Sequence, residues 1–162
     1  MSMPLALIAM LTLPIPWSHK PAPREVSHVA GWTLRVHAER FTGRLACQLS
    51  RPRIDYRRHA LVFHLSARTD TAAAVYRIDN GPPLWSRDDD LDLARLGFAL
   101  HSDDLDNPSG GLVRIPEQRI VAARTVSIEA RADGSPARFK IDGFATALDA
   151  AHKAGCREGD FQ

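Results

Sequence analysis

Between Ala137 and Cys156 the hydrophobic period changes from that of a strand to that of a helix, and the helix ends on a cysteine. Ala137, Phe139 and Ile141 alternate with Arg138, Lys140 and Asp142, the pattern of a strand with one buried face. From Phe144 the apolar residues Phe144, Ala147, Leu148 and Ala151 recur at helical spacing, and Gly155 stands where a left-handed cap closes a helix. A strand feeding straight into an amphipathic helix buries both when the helix lies on a sheet. That helix then delivers Cys156 to the sheet, with Cys47 as its candidate partner. The two cysteines show neither C-x-x-C nor zinc-ligand spacing, which leaves a disulfide or two unrelated buried thiols, and the compartment decides between them.

The rest of the chain reads as short strands with turn signals. Trp32, Leu34, Val36 and Ala38 alternate with Thr33, Arg35 and His37, and after Thr42-Gly43 the residues Leu45, Cys47 and Leu49 point inward. Arg51 to His59 reads as a basic connection in which Pro52 excludes a central strand. Leu61, Phe63, Leu65 and Ala67 form a third strand, and Ala74, Tyr76 and Ile78 a fourth that stops at Asp79-Asn-Gly-Pro-Pro83. Trp85 follows on a short extended piece. Ser86 to Leu96 reads as a short helix with acids at its N-terminal end, and His101 to Gly111 as loop. Leu112 to Ile115 is a strand ended by Pro116, with one helical turn over Glu117 to Ala122. Val126, Ile128 and Ala130 join Phe139 through a hairpin at Asp133-Gly134. About seven short strands and one terminal helix predict a mainly β fold: an antiparallel β-sandwich or curled barrel with a C-terminal α-helix packed on it.

The first residues bear on compartment. Leu5 to Leu13 is an apolar run of signal-peptide length, followed by Pro14, Pro16 and a polar segment, and it is shorter than the ~20 residues a membrane span needs. The predicted organisation is a signal peptide over 1–18, a linker over 19–29, one β-rich domain over 30–156 and a tail over 157–162. The bland alternative for the start is a greasy tail or a misplaced start codon. Export implies an oxidising environment and a bridged pair of cysteines. The formal charge of +2, from 21 basic and 19 acidic residues, gives no global field for nucleic acid, so an anionic partner needs a local patch.

Candidate chemistry is sparse. There is no G-x-S-x-G, and Ser109 beside Pro108 and Gly110 is what an ordinary turn contains. His59 and His64 are five apart, on opposite faces of one strand, and a single His37-x-Glu39 pair is common by chance. Asp88, Asp89, Asp90, Asp92, Asp103, Asp104 and Asp106 supply hard oxygens, but the calcium-loop pattern is absent and a solvated acidic loop explains them. No metal, cofactor or catalytic residue is implied. Arg51, Arg53, Tyr56, Arg57 and Arg58 form the candidate partner-contact patch, a basic turn suited to phosphate or an acidic partner. The plainer reading is a solvated turn facing the chain's own acidic loops.

Taken together, Gly31-Trp-Thr-Leu-Arg-Val36, Ala46-Cys-Gln-Leu-Ser50, Tyr76-Arg-Ile-Asp79 with Trp85 after it, and Phe139 through Gly143-Phe144, Ala147-Leu148 and Cys156 carry a resemblance. They resemble small exported bacterial proteins of the invasion-associated locus B type. The order from Tyr76 to Cys156 is also similar to VasI-type accessory proteins of type VI secretion. The resemblance implies a periplasmic or surface-associated sandwich without catalytic residues, acting by contact with an envelope protein or a host-facing partner. It also implies packing roles for Trp32 and Trp85, support of the Asn80-Gly81 turn by Asp79, and a Cys47–Cys156 staple on the terminal helix. The alternative function is a periplasmic small-ligand carrier. An apolar pocket with a few polar groups would favour the carrier; a filled core with an exposed basic or aromatic patch would favour the contact protein.

Overall fold

The structure, a computed structural model, describes residues 25–66, 69–98, 111–130 and 135–161. Ten strands among them form two antiparallel sheets. The larger runs β1 (Glu25–Val29), β2 (Trp32–Ala38), β3 (Leu45–Arg51), β4 (Ile54–Arg57), β5 (Ala60–His64) and then β8 (Leu112–Pro116). The smaller is ordered β10 (Ala137–Lys140), β9 (Thr125–Glu129), β6 (Val75–Ile78), β7 (Leu84–Trp85). Period-two alternation decides which residues meet between them. Trp32, Leu34 and Val36 of β2, Cys47 and Leu49 of β3, and Leu61 and Phe63 of β5 share one apolar cluster with Tyr76, Val126, Ile128 and Phe139 of the smaller sheet. Phe63 and Phe139 meet across the sheets with ring centroids 5.1 Å apart.

The smaller sheet covers only part of this face, and helix α3 (Phe144–Lys153) lies against β1, β2 and β3. Its buried stripe is Phe144, Ala147, Leu148 and Ala151, as the helical spacing predicts. Phe144 sits 5.2 Å from Trp32 and 5.4 Å from Tyr56, centroid to centroid. At the start of the helix the indole Nε1 of Trp32 donates to the carbonyl oxygen of Asp142 at 3.2 Å, and Arg51 pairs with the Asp142 carboxylate at 3.0 Å. Gly143 has a φ of 78°, and a Cβ there would stand 2.6 Å from Ala30, so only glycine lets the helix start against the β1–β2 turn. Gly155, with φ 94°, closes the far end and Cys156 bonds Cys47, joining residues 109 apart in sequence. The disulfide is therefore a feature of the fold.

Three sequence expectations change. Residues 25–29 belong to the sheet: β1 pairs with all of Trp32–Val36 through a turn at Ala30-Gly31, so the 19–29 linker shortens. Residues 157–161 are no tail, because Phe161 is 5% exposed, bridges Cys47 and packs edge-on against Tyr56 at 4.8 Å. Pro52 does not break the sheet, because it stands in the two-residue turn between Arg51 and Ile54 rather than in a strand. Proline pre-sets φ at the first turn position, and the φ of 65° at Arg53 completes a type II pattern. β4 follows as an interior strand of the larger sheet.

The segment after β7, a 3-10 turn over Ser86–Asp89 running into α1 (Asp90–Arg95), is the short helix expected there. It covers the outer face of the larger sheet, where Leu93 and Phe98 bury Ala60. A buried carboxylate anchors it. Asp89, fully buried, accepts a hydrogen bond from the Tyr76 hydroxyl at 2.6 Å and pairs with Arg119 Nε at 2.6 Å on the single-turn helix α2 (Glu117–Ile120). Burial raises the Asp89 carboxyl above the usual carboxylate range, with Tyr76 and Arg119 offsetting part of the rise. Asp79 acts differently from expectation. Its carboxylate accepts the N–H groups of Arg124 at 3.1 Å and Thr125 at 2.8 Å, so it fixes the start of β9, while Gly81 N–H closes the Asn80-Gly81 turn on Ile78.

Candidate functional site

The β4–β5 hairpin turns through Arg58 and His59 alone, since Arg57 pairs with Ala60. Both turn residues have positive φ, 46° and 60°. This two-residue geometry suits Asn-Gly, and entering it costs side chains with a Cβ about 1–2 kcal/mol per residue. Strain kept in this way is offset by what the side chains reach. Arg58 donates to the carbonyl oxygen of Gly97 at 2.5 Å and lies 5.6 Å from the centre of the Phe98 ring. His59 stands between two carboxylates, Nδ1 at 3.3 Å from Glu117 and Nε2 at 3.5 Å from Glu158, and its carbonyl oxygen accepts the Glu117 N–H at 2.7 Å.

Beside this turn a groove of about 440 Å³ runs along β4, β5 and β8, with Gly159 and Phe161 of the C-terminal segment also lining it. Register explains its lining. Val62 faces Arg114 and His64 faces Leu112 across the β5–β8 pair, so these four share one face. Arg57 and Arg58 close one end, and Phe98 forms a wall. Arg114 is 8% exposed, and its guanidinium carbon lies 5.2 Å from the Phe98 ring centre. His64 Nε2 lies 2.8 Å from Asp55, which also meets Arg57 at 3.7 Å. Guanidinium groups interleaved with apolar walls can hold carboxylates or phosphates while desolvating the chain that bears them.

The structure divides the predicted patch. Arg57 and Arg58 are exposed at the groove. Arg51 and Arg53 stand at the other end of β4, about 10 Å of strand away. Arg51 is committed to Asp142, and Arg53 donates to the His64 carbonyl oxygen at 3.0 Å and lies over Phe139. Tyr56 leaves the patch altogether. It is 2% exposed, because alternation along β4 turns it into the core with Ile54 while Asp55 and Arg57 face out. Its hydroxyl donates to Glu117 at 2.5 Å, and burial followed by that bond to a carboxylate raises its pKa far above the ordinary value. It is a neutral structural donor. Pattern alone gave no signal for Phe98, whereas Arg114 is legible as the one charged position of an otherwise apolar strand.

Among the described residues no group of three or more His, Cys, Asp or Glu stands together as a metal site would need. His37 and Glu39 bring no third ligand, and His59 and His64 go to separate carboxylates. Of the acidic residues, Asp89 is buried on Tyr76 and Arg119, and Asp92 meets Arg95 and Gln118. Ser109, His101, Asp103, Asp104, Asp106, the turn expected at Asp133-Gly134 and the signal peptide expected over 1–18 lie outside the described residues. No described helix is long and apolar enough to cross a membrane. Comparison with known proteins finds no matching family model, no matching curated protein and no matching solved structure.

Proposed function

We propose that this is an exported β-sandwich protein that acts by protein–protein contact, as an accessory factor of the cell envelope or of a surface-associated system, and not by catalysis. One observation carries the reading: among the described residues, large side chains pack together between the sheets. Trp32, Tyr56, Phe63 and Phe144 are each at most 2% exposed and pack on one another, α3 and the smaller sheet. A carrier holding its ligand between the sheets would need that volume. Exposed basic groups stand instead at the Arg57-Arg58 turn and its groove, where another molecule can reach them. The Cys47–Cys156 bond supports an oxidising compartment, and the resemblance to invasion-associated locus B and VasI-type proteins points to the same location.

The test is expression of the full-length chain in a bacterium, followed by fractionation and intact-mass measurement with and without reduction and alkylation. A shortened chain without free thiols in the periplasmic fraction is the expected result. An uncut cytoplasmic chain with two reactive thiols would overturn the location. Crosslinking in intact cells then reads contact: the Arg57→Glu variant, whose exposed side chain lies outside the strained turn, should lose crosslinked species that the wild-type chain forms, and Arg57→Glu/Arg58→Glu should lose them as well.

A further inference from the structure

We propose that the groove along β4, β5 and β8 docks an acidic peptide segment of a partner protein, with an apolar side chain beside its carboxylates. The inference deepens the contact reading and rests on it for the existence of a protein partner. Its first ground is charge. Among the described residues that line the groove none is acidic, and Arg57 and Arg58 are exposed at it. Asp55 is already shared between Arg57 and His64.

The second ground is the apolar lining. Arg57 is held toward Asp55, and Arg58 bonds the Gly97 carbonyl oxygen while sharing the Phe98 ring with Arg114. Beside them Val62, Leu112 and Phe98 line the groove, apolar groups that a phosphate cannot use and a leucine or valine can. A cavity of about 440 Å³ takes a few side chains of an extended segment, not a folded surface. The third ground is the turn. Arg58 is kept at a φ of 46° where asparagine would relieve the backbone, and this holds its guanidinium at the groove.

Fluorescence anisotropy of the purified disulfide-bonded protein tests this, with a labelled Asp-Asp-Leu-Asp peptide in a Gly-Ser frame as probe. Saturable binding is expected, weakening as ionic strength rises beyond about 0.15 M and falling at least about tenfold in Arg57→Glu and in Arg57→Glu/Arg58→Glu. Arg57→Glu serves as the second variant because its side chain is exposed and outside the strained pair. Absence of binding, or binding indifferent to Arg57→Glu, overturns the proposal. Displacement of the peptide by equimolar inorganic pyrophosphate would make this a phosphate site and overturn it too. Binding that appears only when Asp103, Asp104 and Asp106 are replaced by Asn would assign the arginines to the chain's own acids, and the proposal would fall on that result as well. If crosslinks in cells depend on Arg57 and Arg58 while the peptide fails to bind, this inference falls and the contact reading stands. If the peptide binds and no such crosslink forms, the groove chemistry stands and the contact reading falls.

Discussion

The larger sheet is covered on its inner face and, over β5 and β8, on its outer face, and the two covers are built from different forces. On the inner face α3 is held by apolar burial, aromatic contact and one covalent bond. On the outer face the 86–98 segment is held by a small apolar cluster, a buried ion pair through Asp89 and arginine–aromatic contacts at Phe98. Apolar burial and a disulfide depend little on pH or salt, whereas a buried carboxylate carries a desolvation penalty and titrates. The inner cover is therefore the permanent part of the fold. The outer cover, which also walls the groove, is the part that solution conditions can tune.

Breaking the disulfide should have the largest effect. Cys156→Ser, or reduction of the wild type, should cost about 4–5 kcal/mol by the chain-entropy account for a loop of this length. The check is the urea midpoint with and without reductant, and equal midpoints would remove the staple. On the outer face, Asp89→Ala should cost about 3 kcal/mol, the low end for breaking a buried pair, because Arg119 is partly exposed and regains water. Gly143→Ala should cost about 2 kcal/mol, from a left-handed φ and the collision with Ala30. Both are read by the same denaturation series.

The pH dependence separates Asp89 from Asp79 by sign. The folded-state pKa of Asp89 is raised, so the folded chain holds this proton more tightly than the unfolded one. Its contribution is best at low pH and is lost as pH rises from about 4 through the folded value. Asp79 is lowered, first by the Thr125 N–H, so its contribution is present above about 4 and is lost as pH falls through its folded value. In Asp89→Asn the decline of stability above pH ~4 should flatten, and in Asp79→Asn the acid-side loss should flatten instead. Stability curves that change alike in the two variants would refute the contrast.

How much of this could be read in advance follows the same division. The inner cover was legible because period carries it: Phe144, Ala147, Leu148 and Ala151 repeat at helical spacing, and Cys47 alternates inward from a strand. The outer cover was not legible, because what lies over a strand's second face is a tertiary fact. Val62 alternates with Leu61 and Phe63 on the side of β5 away from the core, yet it is buried, and its neighbour Ala60 lies under Leu93 and Phe98. β4 was hidden by Pro52, whose turn role depends on the positive φ at Arg53, an uncommon conformation for arginine. Tyr56 entered the patch through its neighbours' charge, when alternation with Asp55 and Arg57 would have placed it inward. The groove needed β8 beside β5, a pairing across 47 residues of intervening chain for which no local pattern speaks.

The smallest expected change is the one that joins stability to function. Replacing Arg58 and His59 together by Asn and Gly gives the turn the residues its positive φ values favour. Relief of two strained positions, about 1–2 kcal/mol each, is offset by the lost Arg58 contacts with Gly97 and Phe98 and the lost His59 contacts with two carboxylates. The net should be a gain of about 0.5–1 kcal/mol, seen as a higher denaturation midpoint. The same variant should bind the acidic peptide more weakly, because one groove guanidinium is gone. A turn kept at a cost to stability and needed for capture is one whose strain serves the contact. Lower stability in the Asn-Gly variant would mean instead that Arg58 and His59 are there to pin the outer cover, and only the rim of the groove would depend on them.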